Sequence, residues 1–530
     1  MQISTEDLVR FLRYSRYYFY HQREQSLTVI GCVFRIHYFD VAASMKQKIW
    51  TTVRRHLCPR LTGTDFAIAR MVLAVYAVAF FVVYPFACRR LAFSWYLAGD
   101  APTLLRRAVN ANDVRLAAAR AFLEQASAIV GGNSTNDGVY RSIEGRRQRP
   151  IVDVVVAVVT IGRNIASKYE VRAQMAEIGL RADAVHLGYL TQTVARLRRI
   201  DEAPGFERKA IVVCDVDDLA ARRRTNVEVA ELAPHVDAVV HKYGDDDEGR
   251  RVTSVDGNSS LSGGRRAITD DVWNKEKDDY AFCLEAATRL FDARYVLLME
   301  DDVLLEDRAF VVVSHAVRWR IAERRSAAHG DVTSPPIDDE GGDHIKTDDD
   351  VVQRRRRPSW LFIKLYYHER WQGYAFEFES IVELIAFATV GGSLSTVVYA
   401  HFVAAWWRLN QRRFVIFVGG AVFAVLSAEV VGRPHVQSWR SVSPLTHRLV
   451  APAPDSCTQA MLYPTAVVAD LVAFLRRVRC TRKYAVDLAI ARYVRLGAWP
   501  SYRVEPNICR HVGFVSAVKS EEKLAAEFIF

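Results

Sequence analysis

Three apolar stretches constrain this chain more than any other feature. Residues 71–88 (MVLAVYAVAFFVVYPFAC) carry no formal charge and are closed by Arg89 and Arg90. Residues 384–407 are likewise uncharged, and residues 414–432 contain only Glu429. Eighteen helical residues extend about 27 Å, enough to cross a hydrocarbon core with snorkelling flanks. The first stretch lies too deep for a cleaved signal peptide. Its Pro85 sits near the end, where a lost backbone bond costs least. Residues 408–413 alone separate the second and third stretches, so these should pair as a hairpin. Each holds a glycine pair, Gly391-Gly392 and Gly419-Gly420, which lets helix backbones approach closely. Glu429 is expensive inside lipid and is expected at the interface or against the partner helix.

Charge gives these helices an expected orientation. Arg408, Arg412 and Arg413 favour a cytosolic hairpin turn. Lys46, Lys48, Arg54, Arg55, Arg60 and Arg70 favour a cytosolic N-terminal tail and outnumber Arg89 and Arg90. Residues 89–383 and 433–530 are then expected on the far side of the membrane. Two sequons, at Asn133 and Asn258, fall there and suit glycosylation in a lumen. Lys+Arg 71 against Asp+Glu 61 leaves +10. That excess reads as membrane-flanking arginine, with no nucleic acid expected as a partner. Gly 27 and Pro 16 in 530 residues exclude a collagen-like or wholly disordered chain, and eight Cys exclude a small disulfide scaffold.

Between the apolar stretches the pattern is α/β. Residues 151–160 (IVDVVVAVVT) read as a strand buried on both faces, central in a parallel sheet. Residues 189–198 have helical spacing, and 210–214 form a strand ending in Asp215. Residues 278–291 read as an amphipathic helix, and 294–299 as a strand ending in Glu300, Asp301 and Asp302. Such alternation predicts a sheet with right-handed crossovers, whose ligands lie beyond the carboxyl ends of its strands. Thr160, Asp215 and the acidic triplet all occupy such ends. Residues 244–270 read as a long polar loop. Residues 326–358, with Asp348 to Asp350 and Arg354 to Arg357, read as a disordered mixed-charge insert.

Acids packed between apolar runs are costly unless a cation or metal pairs with them. Oxygen ligands of this kind suit Mg²⁺ or Mn²⁺, which bridge diphosphate oxygens and stabilise a leaving group. The plain alternative for Glu300, Asp301 and Asp302 is an acidic turn capping the next helix. Asp215-Val216-Asp217 invites comparison with the nucleophile of haloacid dehalogenase-type phosphotransferases. No later Lys and acidic pair follows at strand ends, so Asp215 reads as a nucleotide or base contact. P-loop, HExxH, GxSxG and paired CxxC patterns are absent. His511, one of 14 histidines, reads alone as structural.

Taken in order, several segments resemble the GPI-anchor side-chain N-acetylgalactosamine transferases of the post-GPI-attachment type. They are VVVAVVTIGR (154–163), YLTQTVARL (189–197), VVCDVDD (212–218), KEKDDYAFCLEAATRLFDARYVLLMEDD (275–302) and FIKLYYHERWQGY (362–374). After the hairpin come CTQAMLYP (457–464) and VEPNICRHVGF (504–514). N-glycan branching N-acetylglucosaminyltransferases share the YLTQT-like, EDD-like and H-x-G-like pieces but resemble the chain less around the hairpin.

The resemblance implies a Golgi multi-pass enzyme with a lumenal GT-A-like domain, interrupted by a tandem transmembrane hairpin. It implies UDP-GalNAc as donor, a divalent metal such as manganese, and a GPI glycan or GPI-anchored protein in the membrane lipid as acceptor. Glu300, Asp301 and Asp302 correspond to the family's DxD equivalent, with Asp302 the foremost metal contact and His511 close to metal and diphosphate. Val159, Thr160, Thr458 and Gln459 correspond to donor contacts, beside Asp215. Asp487 corresponds to an acid on an acceptor-side helix, able to deprotonate the acceptor hydroxyl for inverting displacement. The resemblance also pairs Cys214 with Cys283 as a disulfide.

The expected organisation is a cytosolic tail (1–70), a first transmembrane helix (71–88) and a lumenal stem (89–150). A first catalytic part (151–325), the insert (326–358) and a further catalytic segment (359–383) follow. The hairpin helices (384–407 and 414–432) flank the cytosolic turn (408–413), and a second catalytic part (433–530) ends the chain. A branching N-acetylglucosaminyltransferase, or an inactive membrane adaptor that keeps the fold, are the competing readings.

Overall fold

The computed structural model describes residues 63–97, 101–130, 149–161, 173, 175–181, 185–200, 202–217, 227–243, 272–321, 360–374, 378–403 and 413–515. Asn133, Asn258, the 244–270 and 326–358 stretches, turn residues 408–412 and the tail before residue 63 lie outside the described residues. Two units account for the rest. One holds the described residues up to 97 with 369–436, the other 101–368 with 437–515.

The larger unit is built on strands β1 (Ile151–Thr160), β2 (Lys209–Asp215), β3 (Ala238–His241), β4 (Asp292–Glu300) and β5 (Val303–Leu305). It continues with β6 (Phe362–Lys364), β7 (Arg448–Val450), β8 (Ala460–Pro464), β9 (Ser501–Glu505) and β10 (Cys509–His511). Eight strands form one sheet in the order β3-β2-β1-β4-β8-β6-β9-β7, and β5 pairs with β10 in a separate ribbon. Strands from both sides of the inserted hairpin close the same sheet. Its packing helices are α1 (Ala101–Val130), α2 (Tyr189–Arg199), α3 (Val272–Leu290), α4 (Ala309–His315), α5 (Thr465–Arg477) and α6 (Val486–Gly497).

β1 shows why the sheet is covered on both faces. Val154, Val156 and Val158 pack with Leu190, Val194 and Leu197 of α2. Val155 and Ala157 point the other way, onto Cys283, Leu284 and Ala287 of α3 and Leu471 and Leu475 of α5. Each fully buried Val or Leu stabilises by about 1.5–3 kcal/mol, and a one-residue slip would exchange the two faces. Gly188 sets the entry to α2. Its φ is +54, and a Cβ there would stand 2.4 Å from Leu116 Cδ1 of α1. No other residue type suits that position.

The sheet is less regular than a parallel pattern predicts. β3, β2, β1 and β4 are parallel, but β8 runs antiparallel to both β4 and β6. β9 is parallel to β6 and antiparallel to β7. α3 also begins at Val272, ahead of the expected residue 278.

The smaller unit holds three helices long and apolar enough to cross a membrane, Arg70–Ala87, Ser380–His401 and Phe414–Val431. These fit a membrane protein. In the first, a π turn over Ala79–Val83 precedes Pro85, which cannot donate to the carbonyl four residues back. The second and third pack through their glycines, as the sequence leads one to expect. A Cβ on Gly391 would lie 2.4 Å from Ala424 Cβ, and one on Gly420 2.8 Å from the Gly391 carbonyl oxygen. The first packs on the third, with Tyr84 donating to Ser427 Oγ at 2.6 Å and Phe80 edge-on to Phe423.

The second helix spans Phe378–Val398, so it begins ahead of the expected residue 384 and includes Glu383. The reason is a charge pair. Arg433, fully buried, donates from Nε and Nη2 to Glu383 Oε2 at 3.2 Å and from Nη1 to the Gln372 carbonyl at 3.0 Å.

Candidate functional site

The carboxyl ends of β1, β2 and β4 line up in register, with Thr160 opposite Asp215 and Val159 opposite Glu300. β8 begins beside the end of β4, where Ala460 pairs with Met299. The backbone of the acidic triplet is therefore held from both sides. Glu300 N–H donates to the Gln459 carbonyl at 2.9 Å, and Asp301 N–H to the Val159 carbonyl at 3.1 Å. Thr193 of α2, wholly buried, adds its hydroxyl to the Asp301 carbonyl at 2.6 Å. Asn112 of α1 and Gln192 of α2 are joined beneath it by a 2.9 Å hydrogen bond, which ties the YLTQT helix to α1.

Past the triplet the chain turns into β5, and β10 pairs with it so that His511 faces Val303. This pairing delivers the imidazole to the acids. His511 Nε2 lies 3.2 Å from Asp302 Oδ2, and the two side chains are buried. Glu300, Asp302 and His511 bring ligand atoms within 4.8 Å of one another. Val512 N–H donates to the Asp302 carbonyl at 2.8 Å. Gly513 makes room for the carboxylate, since a Cβ there would sit 1.8 Å from Asp302 Oδ2. The glycine of H-x-G is thus required by close approach. Asn507 of the E-P-N stretch holds the preceding chain, exchanging two hydrogen bonds with the backbone of Tyr367 at 3.0 and 2.7 Å.

Two carboxylates and an imidazole gather at this spacing. Like charges in a buried site repel unless a cation joins them. Carboxylate oxygens and one imidazole nitrogen are the donor set of a hard or borderline divalent cation. The residues present therefore fit a metal such as magnesium or manganese.

Asp301, expected among the metal contacts, is turned elsewhere. Thr160 Oγ1 donates to its Oδ2 at 2.8 Å, in the two-residue turn that joins β4 to β5. Asp215 is engaged on the neighbouring strand. His241 Nδ1 lies 2.9 Å from its Oδ2, and the Asp217 N–H donates to its Oδ1 at 3.2 Å. Lys242 and Lys275 flank this end of the sheet, each bonded to Asp279 at 2.6 and 2.7 Å.

Thr458 and Asp487 line a cleft together with Lys364, Asp455 and Val494. Asp487 stands in the first turn of α6 and is half-buried. Gln459 connects this cleft to the acidic cluster through its bond to Glu300, and its own Oε1 is buried without a hydrogen-bond partner. Lys364 has no signal in the sequence beyond being a charge at the end of a short apolar strand. Burial draws its pKa down from 10.5 to about 8, against the opposing pull of Cys457, Asp487 and Asp455.

Cys214 on β2 and Cys283 on α3 are wholly buried in the same apolar cluster. They are not joined in this structure. Burial, and then the neighbouring thiol, push Cys283 well above the ordinary thiol range.

Residues 154–510, more than half of the chain, match the model of a family described as GPI-N-acetylgalactosamine transferase PGAP4. The match opens in β1, crosses the hairpin and closes in β10, so it takes in the acidic triplet, the Thr458-Gln459 corner and α6. On that match the chain belongs to the GPI-N-acetylgalactosamine transferase PGAP4 family, a family of transferases.

Proposed function

We propose that this protein is a GT-A-like glycosyltransferase of the Golgi membrane, with its sheet unit in the lumen. It transfers N-acetylgalactosamine from UDP-GalNAc to the mannose core of a GPI anchor. The observation that carries the reading is the convergence of Glu300, Asp302 and His511 at the carboxyl ends of parallel strands, in a chain of this family.

Glu300, Asp302 and His511 would hold a divalent cation. When bound, such a cation supplies positive charge to the diphosphate of the leaving group. Val159, Thr160, Asp215, Thr458 and Gln459 would line the donor, with the unpartnered Gln459 Oε1 free to accept from a sugar hydroxyl or amide. Asp487 would take the proton of the acceptor hydroxyl as its oxygen attacks the anomeric carbon. The bond from that carbon to the diphosphate oxygen breaks with its electron pair leaving on UDP, and configuration inverts.

The test is donor turnover by the full-length protein in detergent, over a panel of UDP-sugars, with and without a chelator. UDP-GalNAc should be preferred and the chelator should abolish turnover. Preference for UDP-GlcNAc with an N-glycan acceptor would replace this reading with a branching enzyme. Inactivity with every donor, together with tolerance of Asp302→Asn, would leave an adaptor.

A lumenal setting also favours oxidation of Cys214 and Cys283 to a disulfide, with loss of two protons and two electrons to the compartment's oxidants. Closing that loop stabilises by roughly 4 kcal/mol in the chain-entropy model, less any strain. Peptide mapping without reduction should recover the pair cross-linked. Recovery of both as free thiols from secretory membranes would refute it.

A further inference from the structure

Lys364 ends β6 at 2 % exposure, and among the described residues no carboxylate lies within ion-pair distance of it. Its Nζ donates instead to two backbone carbonyls, those of Pro454 and Ser456, both at 2.6 Å. A buried ammonium is costly, and two charge-assisted hydrogen bonds offset that cost only in part. Methionine at this position would fill similar space without the charge. What the lysine adds is a hold on the chain between Pro454 and Ser456.

That chain leads directly into the site. Cys457 follows Ser456 with φ +75, in the left-handed region that a side chain other than glycine or asparagine adopts at a cost. Backbone in such a conformation persists only where its surroundings over-determine it. Next come Thr458, which lines the cleft with Lys364 and Asp487, and Gln459, whose carbonyl receives the Glu300 N–H. Downstream, β8 fixes the chain from Ala460 onward by pairing with β4. Upstream, the Ala453 N–H donates to the Ser501 carbonyl at 3.1 Å. The Lys364 ammonium grips the stretch between these two points.

We propose that Lys364 is a positioning residue for sugar transfer. By pinning the Pro454 and Ser456 carbonyls it holds Cys457 in its left-handed turn. It thereby sets Thr458 and Gln459 against the donor and Asp487. This inference rests on the proposed transferase reading for its role in turnover, but the pinning itself does not.

The experiment uses full-length protein in detergent, with Lys364→Met to remove charge and donors and Lys364→Gln to retain a shorter donor. Hydrogen–deuterium exchange is read at the amides of residues 455–459 without donor, and kinetics are read with UDP-GalNAc. Lys364→Met should speed exchange in this segment by about 10-fold or more, with the rest of the sheet protected as before. It should also lower kcat/KM by about 10- to 100-fold, chiefly through donor KM, as expected for a displaced contact surface. Lys364→Gln should fall between Met and wild type in both measurements. Unchanged exchange at 455–459 in both variants would overturn the proposal. So would an unchanged donor KM in a variant whose segment has loosened. A wild type that turns over no UDP-sugar would retract the transferase reading, while the exchange measurement would still decide whether Lys364 pins the segment.

Discussion

Two buried pairs of opposite polarity, one in each unit, solve different problems. At the base of the hairpin, Arg433 meets Glu383 with one carbonyl and the Tyr374 ring beside it, 5.8 Å from the guanidinium carbon. One cation faces one anion there, and the guanidinium directs its nitrogens at a carboxylate and a carbonyl. In the sheet unit, His511 meets Asp302, but Glu300 brings a second carboxylate into the same few ångströms. The first group is balanced by its own side chains. The second gathers two carboxylates and one imidazole, a donor set that fits a divalent cation. A buried pair of opposite charge contributes to architecture, and a gathering of carboxylates is where a ligand is to be sought.

The largest expected effect breaks the carboxylate–imidazole cluster. Asp302→Asn keeps the shape but supplies a poorer ligand for a hard cation, and turnover should fall by about 100-fold or more. Wild-type protein titrated with Mn²⁺ alone should gain thermal stability in proportion to RT ln(1 + [L]/Kd), and the variant should not. Equal stabilisation of the two proteins would move the metal elsewhere. Gly513→Ala tests the same group from the other side. A Cβ placed 1.8 Å from Asp302 Oδ2 must displace the carboxylate, so manganese stabilisation should drop with no ligand removed. Retention of full manganese binding by this variant would mean that Asp302 is not held where its neighbours put it.

These groups are unequally legible in the sequence. The triplet can be read because it follows a run of buried β-branched and aliphatic residues, and strand ends in such sheets collect ligands. Asp301 cannot be separated from its neighbours, since its direction depends on the Thr160 hydroxyl on another strand. The hairpin can be read as two apolar helices, because lipid imposes length and apolarity together. Its start escapes the pattern at Glu383 because the neutralising Arg433 lies fifty residues on. β6 and β7 have three residues each. Strands so short carry no period of their own and exist by pairing with longer neighbours. Lys364 is hidden for a related reason, as its partners are carbonyls, which every residue has.

A smaller effect is expected from the balanced pair. Arg433→Met leaves Glu383 buried without its cation and should destabilise the protein by about 3–5 kcal/mol, seen as a lower melting temperature in detergent. Adding Glu383→Leu to that variant should restore most of the loss, since a matched apolar pair avoids the desolvation of both charges. Turnover per folded molecule should be unchanged in the double variant. Loss of turnover at wild-type stability would make the pair part of the site and dissolve the contrast drawn between the units.

The smallest effect concerns Lys364, a lone cation held by neutral carbonyls and so intermediate between the two groups. Folded, it gives up its proton near pH 8; unfolded, near its ordinary 10.5. Below pH 8 both states carry the charge, and the folded protein bears the whole cost of burying it. Between about pH 8 and 10.5 the unfolded chain binds more protons than the folded one, so this group's contribution to stability rises with pH through that window. The full change amounts to no more than about 3.5 kcal/mol, at roughly 1.4 kcal/mol for each pH unit that separates the two titrations. Lys364→Met has no such proton to lose. The stability of wild type relative to this variant should therefore climb from pH 7 to pH 10, as followed by denaturant unfolding at each pH. A flat difference would show that the ammonium is solvated, and a falling one that a carboxylate partner stabilises it in the folded state. Either result would remove Lys364 from its intermediate position and leave its hold on the Pro454 and Ser456 carbonyls without the charge that strengthens it.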